Sequence, residues 1–133
     1  MAVFVMKDLV RQMGIDSQFE IASAATSTYE IGNPVYPPAR QKLASHGIDC
    51  KGKTARQITK HDYDYYDYII AMDQSNVKNL KKMFGEDTDN KITLLMDYTT
   101  RPADVADPWY TGDFDATWND VVEGCKGLIT SLI

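Results

Sequence analysis

Two short apolar runs, Tyr68-Ile69-Ile70-Ala71-Met72 and Ile92-Thr93-Leu94-Leu95-Met96, most constrain what this chain can become. Runs of this length without period-2 alternation suit strands buried on both faces, as in a parallel sheet covered by helices. Helical patterns separate them. Ser75 stands ahead of Val77, Leu80 and Phe84, and Gly85 follows as a stop. Val5, Leu9 and Met13 recur at helical spacing before Gly14, and Pro38 to His46 reads as a helix closed by Gly47. Thr59-Lys60-His61-Asp62 fits a capping box opening a short helix. Phe19 to Ala24 alternates as a strand, and residues 25 to 37 read as a loop rich in Ser, Thr, Gly and Pro. A last helix places Trp118, Val121, Val122, Cys125, Leu128, Ile129 and Leu132 on one face. The order helix, strand, helix, strand, helix, strand, helix predicts an α/β fold, three layers deep, around a small parallel sheet. Such a sheet normally opens with a strand, and its ligands bind beyond the strands' C-terminal ends. This pattern opens with a helix.

With 133 residues the chain fits one domain spanning 1–133. A net charge of -5, without a Lys/Arg-rich run, argues against nucleic acid or an anionic membrane surface as a partner. No apolar stretch approaches the roughly 18 residues of a membrane span, and residues 1–6 lack signal-peptide character. Cys50 and Cys125 are the only cysteines, too few for a disulfide scaffold in a domain with its own core. A cytoplasmic location is expected.

Several patterns invite a chemical reading. Gly47 to Thr54 fits G-x4-G-K-[ST], but the nucleotide-binding loop needs a strand before it and a helix starting at its Lys-Thr. Here a helix precedes it, and Ala55 to Ile58 has no helical period. Cys50 to Arg56 fits C-x5-R, but Gln57 occupies the next position, so Cys50 reads as an ordinary cysteine in a solvated connection. Cys125 falls on the apolar stripe of the last helix and reads as core. His46 and His61 lack partners at metal-ligand spacing, and no metal or cofactor is expected. The run Asp62 to Tyr68 alternates acids and rings, suggesting a short helix with acids outside and some rings inside. Asp107-Pro108 by itself is a common turn opener.

In order along the chain, five further pieces resemble the low-molecular-weight protein tyrosine phosphatases. Met1-Ala2 with Phe4 to Val10 resembles the helix after their phosphate loop. Ser23-Ala24-Ala25-Thr26-Ser27 resembles their S-A-G-T-S segment, and Gly47-Ile48-Asp49 with Ala55-Arg56-Gln57 resembles the turn and A-R-Q stretch. Tyr68 to Asn76 resembles the strand ending in M-D-x-S-N, and Asp107-Pro108-Trp109-Tyr110 resembles D-P-Y-Y. The resemblance implies the phosphotyrosine phosphatase I-like fold and hydrolysis of phosphotyrosine in proteins, or of small aryl phosphates, without a metal. It assigns Asp107 as general acid, and Tyr29, Trp109 and Tyr110 as aromatic walls for the substrate ring.

The departures matter as much. The family's nucleophile sits in a C-x5-R-[ST] loop after its first strand, and no such loop occurs in this sequence. Val3 replaces a usual acid, Ala25 a usual Gly, and Lys53 a His that supports the phosphate loop in many members. The resemblance therefore implies an N-terminally truncated relative, inactive as it stands. A pseudophosphatase that binds through its aromatic loop is the alternative. An arsenate reductase of the same fold would need resolving cysteines, which residues 97 to 113 lack. The absent strand lies inside the family's sheet. Either Ala2 to Met6 leaves the first helix to become that strand, or a second copy fills the gap; the homodimer is the expected outcome.

Overall fold

The computed structural model describes residues 1–28, 31–106 and 112–133. Helix α1 spans Ala2–Gln12, α2 Pro37–Ser45 and α3 Lys60–Tyr65. Strand β1 (Ile69–Ala71) follows, then α4 (Gln74–Phe84), β2 (Ile92–Leu94) and α5 (Phe114–Leu132). Two 3-10 turns, Asp16–Gln18 and Leu95–Tyr98, complete the described elements. Strands β1 and β2 pair in parallel, Ile69 opposite Ile92 and Ala71 opposite Leu94. The strand expected over Ile92 to Met96 stops at Leu94 because the chain tightens into a 3-10 turn at Leu95.

Side-chain alternation divides the core between the two faces of this sheet. Ile69 and Ile92 pack with Tyr63, Leu80 and Phe84 from α3 and α4. Ile70 instead joins the larger cluster built by Val5, Met6, Val10, Leu43, Val121, Cys125, Leu128 and Ile129 from α1, α2 and α5. Helices thus cover both faces, giving the expected three layers. At the other end of α2, the ring of His46 stacks on Trp118 of α5 with centroids 3.8 Å apart.

Two expectations need correction, and one of the two routes to closing the sheet is set aside. Ala2 to Met6 does not become a strand: Val3, Val5, Met6 and Val10 are buried as one face of α1, and leaving the helix would expose that face. Phe19 to Ala24 keeps its period-2 burial, with Phe19, Ile21 and Ser23 half-buried between exposed neighbours, yet has no ladder partner among the described residues. The pattern records which side faces the core, but a strand also needs a neighbour for its N–H and C=O groups. Finally, Asp73 rather than Ser75 caps α4, accepting the Asn76 N–H at 2.8 Å.

Helix α5 lies unusually close to the Leu95–Tyr98 turn, and two glycines permit this. A Cβ added at Gly124 would meet Leu95 Cγ at 2.5 Å, and one at Gly127 would meet the Tyr98 carbonyl oxygen at 1.9 Å. A leucine side chain can rotate away, whereas a backbone carbonyl cannot without moving the turn. Replacing Gly127 by Ala should therefore destabilise the protein by about 1–3 kcal/mol. In an unobstructed helix the same change stabilises by roughly 0.5–1 kcal/mol. Thermal denaturation reads the sign directly, and a raised melting temperature would show that the helix does not approach the turn this closely.

Candidate functional site

The C-terminal end of β1 gathers the segments that the sequence analysis singled out. Asn76 Oδ1 accepts the Met72 N–H at 3.2 Å, just after the strand. The Met72 carbonyl accepts the Val105 N–H at 2.9 Å, so the chain returning from β2 crosses directly over the strand end. Asp104 Oδ1 accepts the Gln74 N–H at 3.0 Å, placing a second carboxylate beside Asp73 at the positive end of α4. Ala106 is held from both sides by α5. Its N–H donates to Asp120 Oδ2 at 3.0 Å, and its carbonyl accepts the Thr117 hydroxyl at 2.7 Å. Arg101 pairs with Asp120 at 2.7 Å and with Glu123 at 2.7 Å, and these carboxylates raise the guanidinium's pKa.

The 23–28 segment reaches the same end of the fold through other contacts. The Ala25 N–H donates to the Arg56 carbonyl at 2.8 Å, and the Ile58 N–H donates back to the Ala25 carbonyl at 2.8 Å. Gln57 Nε2 donates to the Thr26 carbonyl at 3.3 Å, and Asn79 of α4 reaches the Thr26 hydroxyl at 3.4 Å. The Ser-Ala-Ala-Thr-Ser and Ala-Arg-Gln stretches are therefore one bonded unit, joined to α4. Asp107, Trp109, Tyr110 and Tyr29, the residues assigned by resemblance, lie outside the described residues. Their immediate neighbours Ala106 and Thr28 lie within them.

Arg56 anchors this unit from below. Its guanidinium meets Asp62 with two hydrogen bonds, 2.8 and 3.1 Å long, and Asp62 also closes the capping box with Thr59. The first of the expected outward acids is thus buried, accepting four hydrogen bonds, two from Arg56 and two from Thr59; Tyr63 is buried too, while Tyr65 and Tyr68 are exposed. The Arg56 bond, aided by Thr59, brings the Asp62 carboxyl down to about 2. Burial, reinforced by the nearby cations Lys7 and Arg56, holds the Lys53 ammonium below the usual lysine range.

Neither cysteine is placed as a nucleophile. Cys125 lies in the core, and burial pushes its thiol up to about 12. Cys50 was expected in a solvated connection, but it is 4% exposed and belongs to the same apolar cluster. The loop around it turns inward: Gly47 and Gly52 both adopt positive φ, and the Lys53 N–H donates to the Cys50 carbonyl. No helix begins at Lys53-Thr54; the next is α3 at Lys60, so the nucleotide-loop pattern lacks its helix. Among the described residues no group of His, Cys, Asp and Glu could hold a metal ion. No described helix is long and apolar enough to cross a membrane. A cleft of about 510 Å³ runs between α1 and residues Phe19, Ile21 and Gly47 to Asp49, and none of residues 104–106 lines it.

The model of the low molecular weight phosphotyrosine protein phosphatases matches residues 1–133. This chain belongs to that family. It is 36% identical over 134 residues to the low molecular weight protein-tyrosine-phosphatase YfkJ of Bacillus subtilis, covering 99% of this chain and 86% of the relative. The low molecular weight phosphotyrosine protein phosphatase of Gallus gallus is 37% identical over 130 residues, or 94% of this chain and 82% of its own. The crystal structure of YfkJ superposes with a TM-score of 0.93, covering 98% of this chain and 84% of that one. The low molecular weight protein tyrosine phosphatase SP-PTP from Streptococcus pyogenes gives 0.87 at 40% identity, over 99% and 83%. The family fold and the family itself, both expected from the sequence, are thereby established.

Sequence reasoning missed Thr117, Asp120 and Arg101. A readable sign existed: Thr117 and Asp120 stand at i and i+3, beside the buried stripe of Val121, Gly124 and Cys125. Polar residues at that spacing on the inner edge of a helix need partners.

The Asp62 shift sets an acid limit on this part of the fold. A depressed carboxyl stabilises the folded state fully above its unfolded pKa of ~4. That contribution is lost as the pH falls towards about 2. Because Arg56 is partly exposed, the pair should supply only about 1–2 kcal/mol at neutral pH. Arg56→Ala should cost that much in urea denaturation at pH 7, and the difference should shrink between pH 4 and pH 2. A difference independent of pH would show that Arg56 acts through packing alone.

Proposed function

We propose that this chain carries the general-acid and substrate-binding part of a phosphatase acting on phosphotyrosine or small aryl phosphate monoesters. Asp107 is its proton donor, and Tyr29, Trp109 and Tyr110 are its aromatic walls. The observation that carries this reading is the stem of residues 104–106. It crosses the C-terminal end of β1, where α/β folds bind ligands, and delivers the chain to Asp107. YfkJ and SP-PTP are both described as low molecular weight protein tyrosine phosphatases, and this chain shares their fold.

In the proposed reaction a thiolate attacks phosphorus and the P–O bond to the phenol breaks. Asp107 gives its proton to the departing oxygen, then takes one from the water that hydrolyses the phosphocysteine. No metal or cofactor enters. The sequence has no C-x5-R-[ST] loop, and both of its cysteines are buried in the core. The chain by itself should therefore bind at most weakly and turn over nothing. The location we assign is cytoplasmic. Among the described residues Phe19 to Ala24 has no ladder partner and β1 pairs only with β2, which supports closure of the sheet by a second copy of the chain.

The 133-residue chain should not hydrolyse para-nitrophenyl phosphate above the buffer rate. Turnover abolished by Cys50→Ser would defeat this reading. A chain completed by joining the family's first strand and C-x5-R-[ST] loop ahead of Met1 should gain activity. In it, Asp107→Asn should lower kcat by ~10²–10⁴-fold, because an amide has no proton to give. Specific phosphotyrosine-peptide binding without turnover by the completed chain would favour the pseudophosphatase.

Sedimentation velocity tests the assembly. A dimer is expected, and a monodisperse monomer across micromolar concentrations would overturn closure by a second copy.

A further inference from the structure

We propose that Thr117 and Asp120 are positioning residues for the general acid, acting by fixing both polar groups of Ala106, the residue immediately before Asp107. This rests on the assignment of Asp107 made above. The Ala106 N–H donates to Asp120 Oδ2 at 3.0 Å, and its carbonyl accepts from Thr117 Oγ1 at 2.7 Å. One helix face thus holds two successive peptide groups, leaving little rotation at the point where the acid-bearing segment departs. The preceding residues are fixed independently, Val105 by the Met72 carbonyl and Asp104 by the Gln74 N–H.

Two features exceed what stability alone asks of α5. The Thr117 hydroxyl already has a helical acceptor in the Asp113 carbonyl at 3.4 Å, yet makes its short bond to Ala106. Thr117 is 7% exposed, so that bond is shielded from competing water. A carboxylate as enclosed as Asp120, whose side chain is 13% exposed, costs desolvation energy that an apolar residue would avoid. It is retained with a counter-ion, Arg101, that is itself paired with Glu123. Charge on the acceptor strengthens the bond from the Ala106 N–H. General acid catalysis rewards this stiffness, since a 1 Å misplacement of a catalytic group can cost on the order of 10²-fold.

The test uses two proteins. In the 133-residue chain, hydrogen exchange at the Ala106 amide should accelerate at least about tenfold in Asp120→Ala, one lost bond being worth roughly 1.4 kcal/mol or more. It should not change in Asp115→Ala, which alters an exposed acid on the same helix. Unchanged exchange in Asp120→Ala overturns the proposal. In the completed chain, kcat/KM is compared for phenyl phosphate and para-nitrophenyl phosphate, whose leaving group needs less protonation. Thr117→Val and Asp120→Ala should reduce the phenyl phosphate value about tenfold more than the other, and Thr117→Ser should restore it. Equal losses on both substrates, with Asp107→Asn showing the steep dependence, would leave Asp107 in place and remove Thr117 and Asp120 as positioning residues. If Asp107→Asn itself shows no leaving-group dependence, or a folded completed chain turns over neither substrate, the assignment of Asp107 fails and this inference falls with it.

Discussion

The close seating of α5 on the Leu95–Tyr98 turn is the contact on which the rest of the molecule depends. It is possible only because Gly124 and Gly127 present no side chain to that turn. Once seated, α5 buries Val121, Cys125, Leu128 and Ile129 against α1 and α2, closing the larger core. The same seating brings Thr117 and Asp120 up to the chain that returns over β1. Packing and site geometry thus share one cause. A helix held an ångström or two farther out would lose core contacts and release Ala106 together.

Electrostatics then sort the charged groups by task. Asp73 and Asp104 both face the start of α4, where the helix dipole and free N–H groups favour negative charge. Asp62 and Asp120 lie deeper, and each has an arginine and a backbone donor. Lys53 is half-buried and shares its surroundings with Lys7 and Arg56. Burial first, and the neighbouring cations second, weaken its hold on its proton.

Family membership accounts for the fold and does not by itself supply chemistry. Function resides in particular side chains placed on the fold. In this chain residues 104–106 are anchored to the end of β1, to α4 and to α5, whereas both cysteines are packed into the apolar core. Cys50 is instructive. Its sequence context fits a phosphate-loop spacing as far as Arg56, yet Arg56 is committed to Asp62 and Cys50 belongs to the same buried cluster as Val10, Leu43 and Cys125. Spacing alone cannot distinguish a cradle from a turn that buries its cysteine.

By itself the sequence determined the architecture, the family and most element positions. Apolar runs and helical periods report burial on one or two faces, and burial is what the three layers organise. The capping box at Thr59 and the glycine stop after Phe84 were equally legible, because their chemistry is local. Only the tertiary structure decided the rest. Among the described residues it left Phe19 to Ala24 without a ladder, since strand pairing depends on a neighbour distant in sequence. It buried Asp62 because Arg56 and Thr59 converge there, and it drew Cys50 inward through two turns with positive φ at Gly47 and Gly52. It also paired Ala106 with Thr117 and Asp120, a contact between a loop and a helix face that no local pattern encodes. Local propensities record what each segment prefers, whereas long-range partners record which preferences the packed chain can satisfy together.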